Sequence, residues 1–246
     1  MGKRVQKKQK RRGMKWCIAI CAVALTVVLA WLLVHGGEKP PVQPDDDSSA
    51  VQPTGKTELP ADIGSGLTVI HIGPYTGMYM EDGSNEIVSD VLMCIVRNDG
   101  DKAVEYAELK LSDGQKEIPF TLTALLPGRS VVLLATDRTA YDAKMSYGVQ
   151  NAAKVAFFAY EPALQADRIQ IQGLHGGMNV TNISGSDITG DVVIYYKNAA
   201  SDGLLYGGIT YRARISGGIK AGELKQGMTE HFRVSGSEVL FVTVAE

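Results

Sequence analysis

Cysteine is scarce in this chain, and its placement is uneven. Of three cysteines, Cys17 and Cys21 fall in one apolar run near the N-terminus, and Cys94 stands alone in the remainder. That excludes an intramolecular disulfide framework for the C-terminal body. It leaves Cys94, inside the string "VLMCIV", as a small buried hydrophobe rather than a nucleophile. Histidine is equally thin. His35, His71, His175 and His231 sit in four separate segments with neither H-x-x-x-H nor H-x-H spacing, so the usual zinc patterns are missing. There is no G-x-S-x-G for a serine hydrolase, and "GLHGGMNV" lacks the glycine spacing and the lysine of a phosphate cradle. The sequence therefore predicts no catalytic, metal-binding or cofactor-binding residue.

Acidic residues are absent from the first 15 positions, which carry Lys3, Arg4, Lys7, Lys8, Lys10, Arg11, Arg12 and Lys15. The other 231 residues hold 17 basic against 27 acidic side chains, a formal charge of −10, which argues against a nucleic-acid partner. Between the two lies "WCIAICAVALTVVLAWLLV", Trp16 to Val34, nineteen residues without a charge. As a helix this run is about 28 Å long, close to the hydrocarbon thickness of a bilayer. Trp16 and Trp31, both tryptophans of the protein, lie near its ends, where an indole keeps its ring apolar and its N–H wet. Basic residues stay on the cytoplasmic side, so the pattern predicts a single-pass cell-membrane protein with residues 1–15 inside, a helix over 16–34 and the C-terminal body outside. The rival, a cleaved secretory signal, has an apolar region of about 7–15 residues ending at a small-residue site, and here the nearest candidate is only "VHG". An exported body without disulfides suits a Gram-positive-like cell surface better than an animal secreted protein.

Residues 35–65 contain five prolines and almost no large apolar side chain, which predicts an extended, flexible stalk. Beyond it the text changes to short apolar or alternating runs separated by Gly, Asn, Asp and Pro. "GLTVIHI", "SDVLMCIV", "AVEYAELKL", "EIPFTLT", "SVVLLAT" and "AKVAFFAY" read as strands, and so do "RIQIQG", "GMNVTNI", "ITGDVVIYY", "GGITYRARI", "TEHFRV" and "EVLFVTV". Only "DRTAYDAKM", Asp137 to Met145, suggests a short helix.

The two sets of strands echo one another. Val96-x-Asn98 is followed by a polar turn and an alternating strand, and so is Val180-x-Asn182; Gly128 in "LLPGRS" has a counterpart in Gly222 of "IKAGEL". The prediction is an all-β body of two tandem modules, residues 66–162 and 163–246. With its V-x-N strand ends and L-x-P-G turn the layout resembles bacterial Ig-like and fibronectin-like surface modules. That resemblance implies two small β-sandwiches that bind or space, and it carries no catalytic residue with it.

The densest acidic stretch, "NDGD" at 98–101, reads as turn chemistry rather than as a site. Asn and Asp bond their own backbone and Gly supplies positive φ, and the counterpart "NISGSD" keeps Asn, Gly and Asp without the acidity. "GPYTGMYMEDGSNE", Gly73 to Glu86, is the most unusual loop. Its Tyr75, Tyr79 and Met80, with Tyr206 in the second module, are the candidate contacts to a partner, because aromatic side chains offer large rigid area at low entropic cost. The function expected is non-catalytic: a scaffold or binding subunit of a bacterial cell-envelope assembly, partnered by a membrane protein, a cell-surface protein or a wall polymer. The alternatives are a surface adhesin for wall carbohydrate and an envelope hydrolase or transferase with a dispersed site.

Overall fold

The computed structural model describes residues 57–84 and 86–245, which form strands and no helix. The basic tail, the apolar run 16–34 and the stalk up to residue 56 lie outside the described residues. The strands of the first half are β1 (Ala61–Asp62), β2 (Leu67–Met78), β3 (Ile87–Asn98), β4 (Val104–Ser112), β5 (Glu117–Leu125), β6 (Ser130–Leu134), β7 (Gly148–Val149) and β8 (Lys154–Phe157). Those of the second are β9 (Ile169–Leu174), β10 (Gly177–Asn182), β11 (Val192–Ala199), β12 (Leu205–Ile215), β13 (Leu224–Met228) and β14 (Ser237–Val244).

One seven-stranded sheet, in the order β1-β2-β3-β6-β12-β11-β14, draws on both halves. Its central joint is parallel: Leu205 and Tyr206 of β12 pair with Val131 and Val132 of β6. The sequence of β6 explains its central place. Val131, Val132, Leu133 and Leu134 are all buried, and a strand covered on both faces needs an unbroken apolar run rather than alternation.

Two smaller sheets cover this long one. β4 pairs with β5 on one side and with β7 and β8 on the other, and the resulting sheet closes a core with Leu92, Cys94, Val96, Leu122 and Leu133. β13-β10-β9 closes a second core with Ile194, Tyr196, Ala213 and Val242. Adjacent Tyr195 and Tyr196 of β11 point to opposite faces, Tyr195 toward the first core and Tyr196 into the second, so the smaller sheets lie on opposite faces of the large one. On the first face Tyr195 stacks on Phe241 of β14, with ring centroids 4.4 Å apart, and Phe158 meets Phe241 edge-on at 5.2 Å.

The V-x-N and glycine motifs have one structural cause. Asn98 is fully buried; its Nδ2 donates to the carbonyls of Lys102 (2.9 Å) and Leu125 (3.0 Å), and its Oδ1 accepts from the Gly100 N–H (3.0 Å). Asn182, equally buried, does the same with Ser186 (2.8 Å), Ile219 (2.9 Å) and the Ser184 N–H (3.0 Å). The backbone carbonyl of each accepts from a glycine at φ 73°, Gly128 in one half and Gly222 in the other. "NDGD" is thus a turn wound around a buried amide.

Three expectations meet a different outcome. The body begins before residue 66: Ile63 is buried, β1 pairs with β2, and Thr57 Oγ1 accepts from the Val149 N–H. Residues 137–145 are irregular, because the Thr139 carbonyl accepts from the Leu92 N–H and the Tyr141 N–H donates to the Asp90 carbonyl rather than closing helical turns within the segment. "TEHFRV" is a turn that drops Phe232 into the second core, and the strand lies just before it, at β13.

Removing either asparagine amide strands buried carbonyls and an N–H. Asn98→Ala and Asn182→Ala should each destabilise the fold by about 1–3 kcal/mol, measured by chemical denaturation. Asp99→Ala, at the exposed side of the same turn, should stay within about 0.5 kcal/mol.

Candidate functional site

The parallel pairing of β6 and β12 covers two residues and then fails, because β12 bulges. On β11 only Lys197 separates the residues paired with Tyr211 and Tyr206, whereas β12 spends Gly207 to Thr210 on the same interval. Gly207 has φ 85°, and a Cβ on Gly208 would lie 1.8 Å from the Thr121 carbonyl oxygen, so the bulge needs glycine at both positions.

Two charged side chains from opposite halves secure the bulge. Lys197, fully buried, donates from Nζ to the carbonyls of Gly207 (2.9 Å), Gly208 (3.0 Å) and Ile209 (2.7 Å). Glu81, partly buried, accepts from the Leu134 N–H of β6 at Oε1 (2.9 Å) and from the Gly208 N–H of β12 at Oε2 (2.7 Å). The carboxylate thereby carries the hydrogen-bond ladder across the gap the bulge opens. Thr123 of β5 adds a bond from Oγ1 to the Gly208 carbonyl (2.7 Å) and meets Thr210 Oγ1 at 2.9 Å.

Burial pushes the Glu81 carboxyl up to about 7, against the two backbone N–H groups and the Lys197 charge, which hold it down. Burial pushes the Lys197 ammonium down to about 7, against the Glu81 charge. Burial also raises the Cys94 thiol, so Cys94 is an inert core residue.

The four expected contact residues all gather around this joint, but not as an exposed loop. Tyr79 and Met80 are buried. The Tyr79 hydroxyl donates toward the carbonyls of Ala135 (3.0 Å) and Thr136 (3.2 Å), and its ring lies under Arg138 at 4.4 Å. Arg138 in turn bonds Asp82 (2.8 Å) and Glu86 (2.7 Å), which fastens the loop to the chain after β6. Met80 packs against Gly207, and its sulfur lies 3.1 Å from Asn198 Nδ2. Tyr75 and Tyr206 are half-buried and near enough to raise the Tyr75 hydroxyl, after the larger effect of burial. Of these four, Tyr75 and Tyr206 keep exposed surface.

Sequence reasoning missed Glu81 and Lys197. Their one signal was a charged residue beside an apolar or aromatic run, "YMED" and "VIYYKN". It also missed Arg129, which forms a two-pronged ion pair with Glu238 (2.7 and 2.6 Å) and donates to the Gly203 carbonyl (2.9 Å), a second tie between the halves. Among the described residues no three His, Cys, Asp or Glu side chains converge. An open cleft of about 310 Å³ lies elsewhere, lined by Asp187, Ile219, Lys220 and Lys225 among others. Comparison of the chain with protein-family models, with curated proteins and with solved structures finds no match.

A carboxyl whose folded-state pKa lies above its unfolded value of 4.5 stabilises the fold while protonated, and that contribution is lost as pH rises through about 7. Wild-type thermal stability should therefore fall between pH 5 and 7.5 relative to Glu81→Gln, by on the order of 1–3 kcal/mol. In the variant the Lys197 ammonium loses the charge that holds it up and is depressed further, which widens the same difference as pH rises. Lys197→Met keeps the packing but removes the ammonium shared by three carbonyls, of which Gly208 keeps Thr123 Oγ1 as a donor, and denaturation should show a loss of about 3–5 kcal/mol.

Proposed function

We propose that this protein is a non-catalytic, membrane-anchored scaffold or binding subunit of a bacterial cell-envelope assembly, with its body outside the cell. In this reading the two halves, meeting at residues 162 and 163, are two Ig-like modules, each a strand pair beside a V-x-N strand facing a second sheet. The observation that carries the proposal is the continuous sheet from β1 to β14. A body with one sheet through both halves, tied by Glu81 and Arg129 at the joint, holds two surfaces at a fixed separation, which is what a scaffold requires. The apolar run 16–34 supports the anchor, and the half-buried pair Tyr75 and Tyr206 is the contact proposed for a membrane or surface protein.

In cells, the full-length chain should fractionate with membrane, and its body should be cut by protease added outside. Crosslinking followed by mild detergent extraction should recover a membrane protein at fixed stoichiometry, and less of it from Tyr75→Ala and Tyr206→Ala. A chain released to the medium without residues 1–36 overturns the anchor. Retained wall carbohydrate with no protein partner turns the reading to an adhesin.

A further inference from the structure

β13 occupies in the second half the place that β6 occupies in the first. Each begins two residues after the glycine bonded to the buried asparagine, and each lies beside the strand that carries it. The far edge of β6 is taken by β12, and Val132 and Leu134 are buried there. Among the described residues the far edge of β13 is open, for β13 ends its sheet. Its corresponding residues are exposed: Met228 by 71%, Gln226, and Leu224 by 53%.

Natural edge strands are commonly blocked by an outward charge or a proline. Pro74 in β2 and Pro119 in β5 fit that rule. β13 has neither device, since its one charge, Lys225, turns aside to the Gly218 carbonyl (2.6 Å). We propose that β13 is a self-association edge, to which β13 of a second copy adds antiparallel about Gln226, giving a six-stranded sheet across the dimer. In that register Gln226 faces Gln226, Leu224 faces Met228 at both ends, and Lys225 faces Gly227, so apolar meets apolar and no like charges meet. A head-to-tail joint of β13 with β5 of the next copy, which would repeat the internal one, is closed. The β5 edge already carries the β12 bulge at Thr121 and Thr123, and the Pro119 carbonyl accepts from the Thr136 N–H.

The test uses full-length chain in detergent with Cys17 and Cys21 replaced by serine. With a short bis-maleimide, Gln226→Cys should give several-fold more covalent dimer than Gln172→Cys, on the far strand of the same small sheet. A mixture of Leu224→Cys and Met228→Cys chains should crosslink several-fold better than either alone. No dimer at Gln226, or equal yields at Gln172, overturns the edge. Preferential self-linking at Leu224 or Met228 overturns the antiparallel register. Gln172, Leu224, Gln226 and Met228 are all exposed, so their substitutions leave the cores untouched.

Discussion

Two strands from different halves of the chain run side by side for two residues and then part, and a carboxylate fills the gap. Glu81 accepts one backbone N–H from each strand, and Lys197 closes the carbonyl side of the bulge that forced them apart. Without these groups the seven-stranded sheet would have a row of unpaired backbone at its centre, where water cannot satisfy it. Other ties between the halves surround that register, among them the Arg129 and Glu238 ion pair, the Thr123 bonds and the edge-on contact of Phe158 with Phe241. Placing a carboxylate and an ammonium in this environment is unfavourable for each alone, and the backbone partners on both sides are what make it tenable.

The strand content was legible because it rests on local chemistry. Alternation in "ITYRARI" buries Ala213 and Ile215 and exposes Arg212 and Arg214, as the period of two requires. The repeat of V-x-N and glycine was visible because each half solves the same problem, a tight strand connection wound around a buried amide, with the same residues. How the halves join was not legible. The unbroken apolar run of β6 signals cover on both faces, but nothing local says that its neighbour along one edge is residues 205–206, some 70 positions on. β13 is hidden for the opposite reason: "LKQGM" has little apolar pattern because its outer face is open, whereas "TEHFRV", with Phe232 and Val234 alternating with polar residues, reads more like a strand.

The tyrosine and methionine loop shows the same limit. Exposed aromatic residues and buried ones look alike in sequence, and the distinguishing feature, Arg138, lies more than 50 residues away, clasping Asp82 and Glu86 over the Tyr79 ring. A loop that would have been free to dock becomes part of the joint. Of the four candidate residues, Tyr75 and Tyr206 stay partly exposed, one from each half and joined by the sheet between them.

If the shared sheet joins the halves, both unfold as one body. Native-state hydrogen exchange of the intact chain under increasing denaturant tests it most directly. The amides of Val131 to Leu134 in β6 and of Ile194 to Lys197 in β11 should merge into a single opening reaction with one free energy. If the β11 amides open at clearly lower denaturant while β6 stays protected, the halves are independent and the joint is only a contact between them.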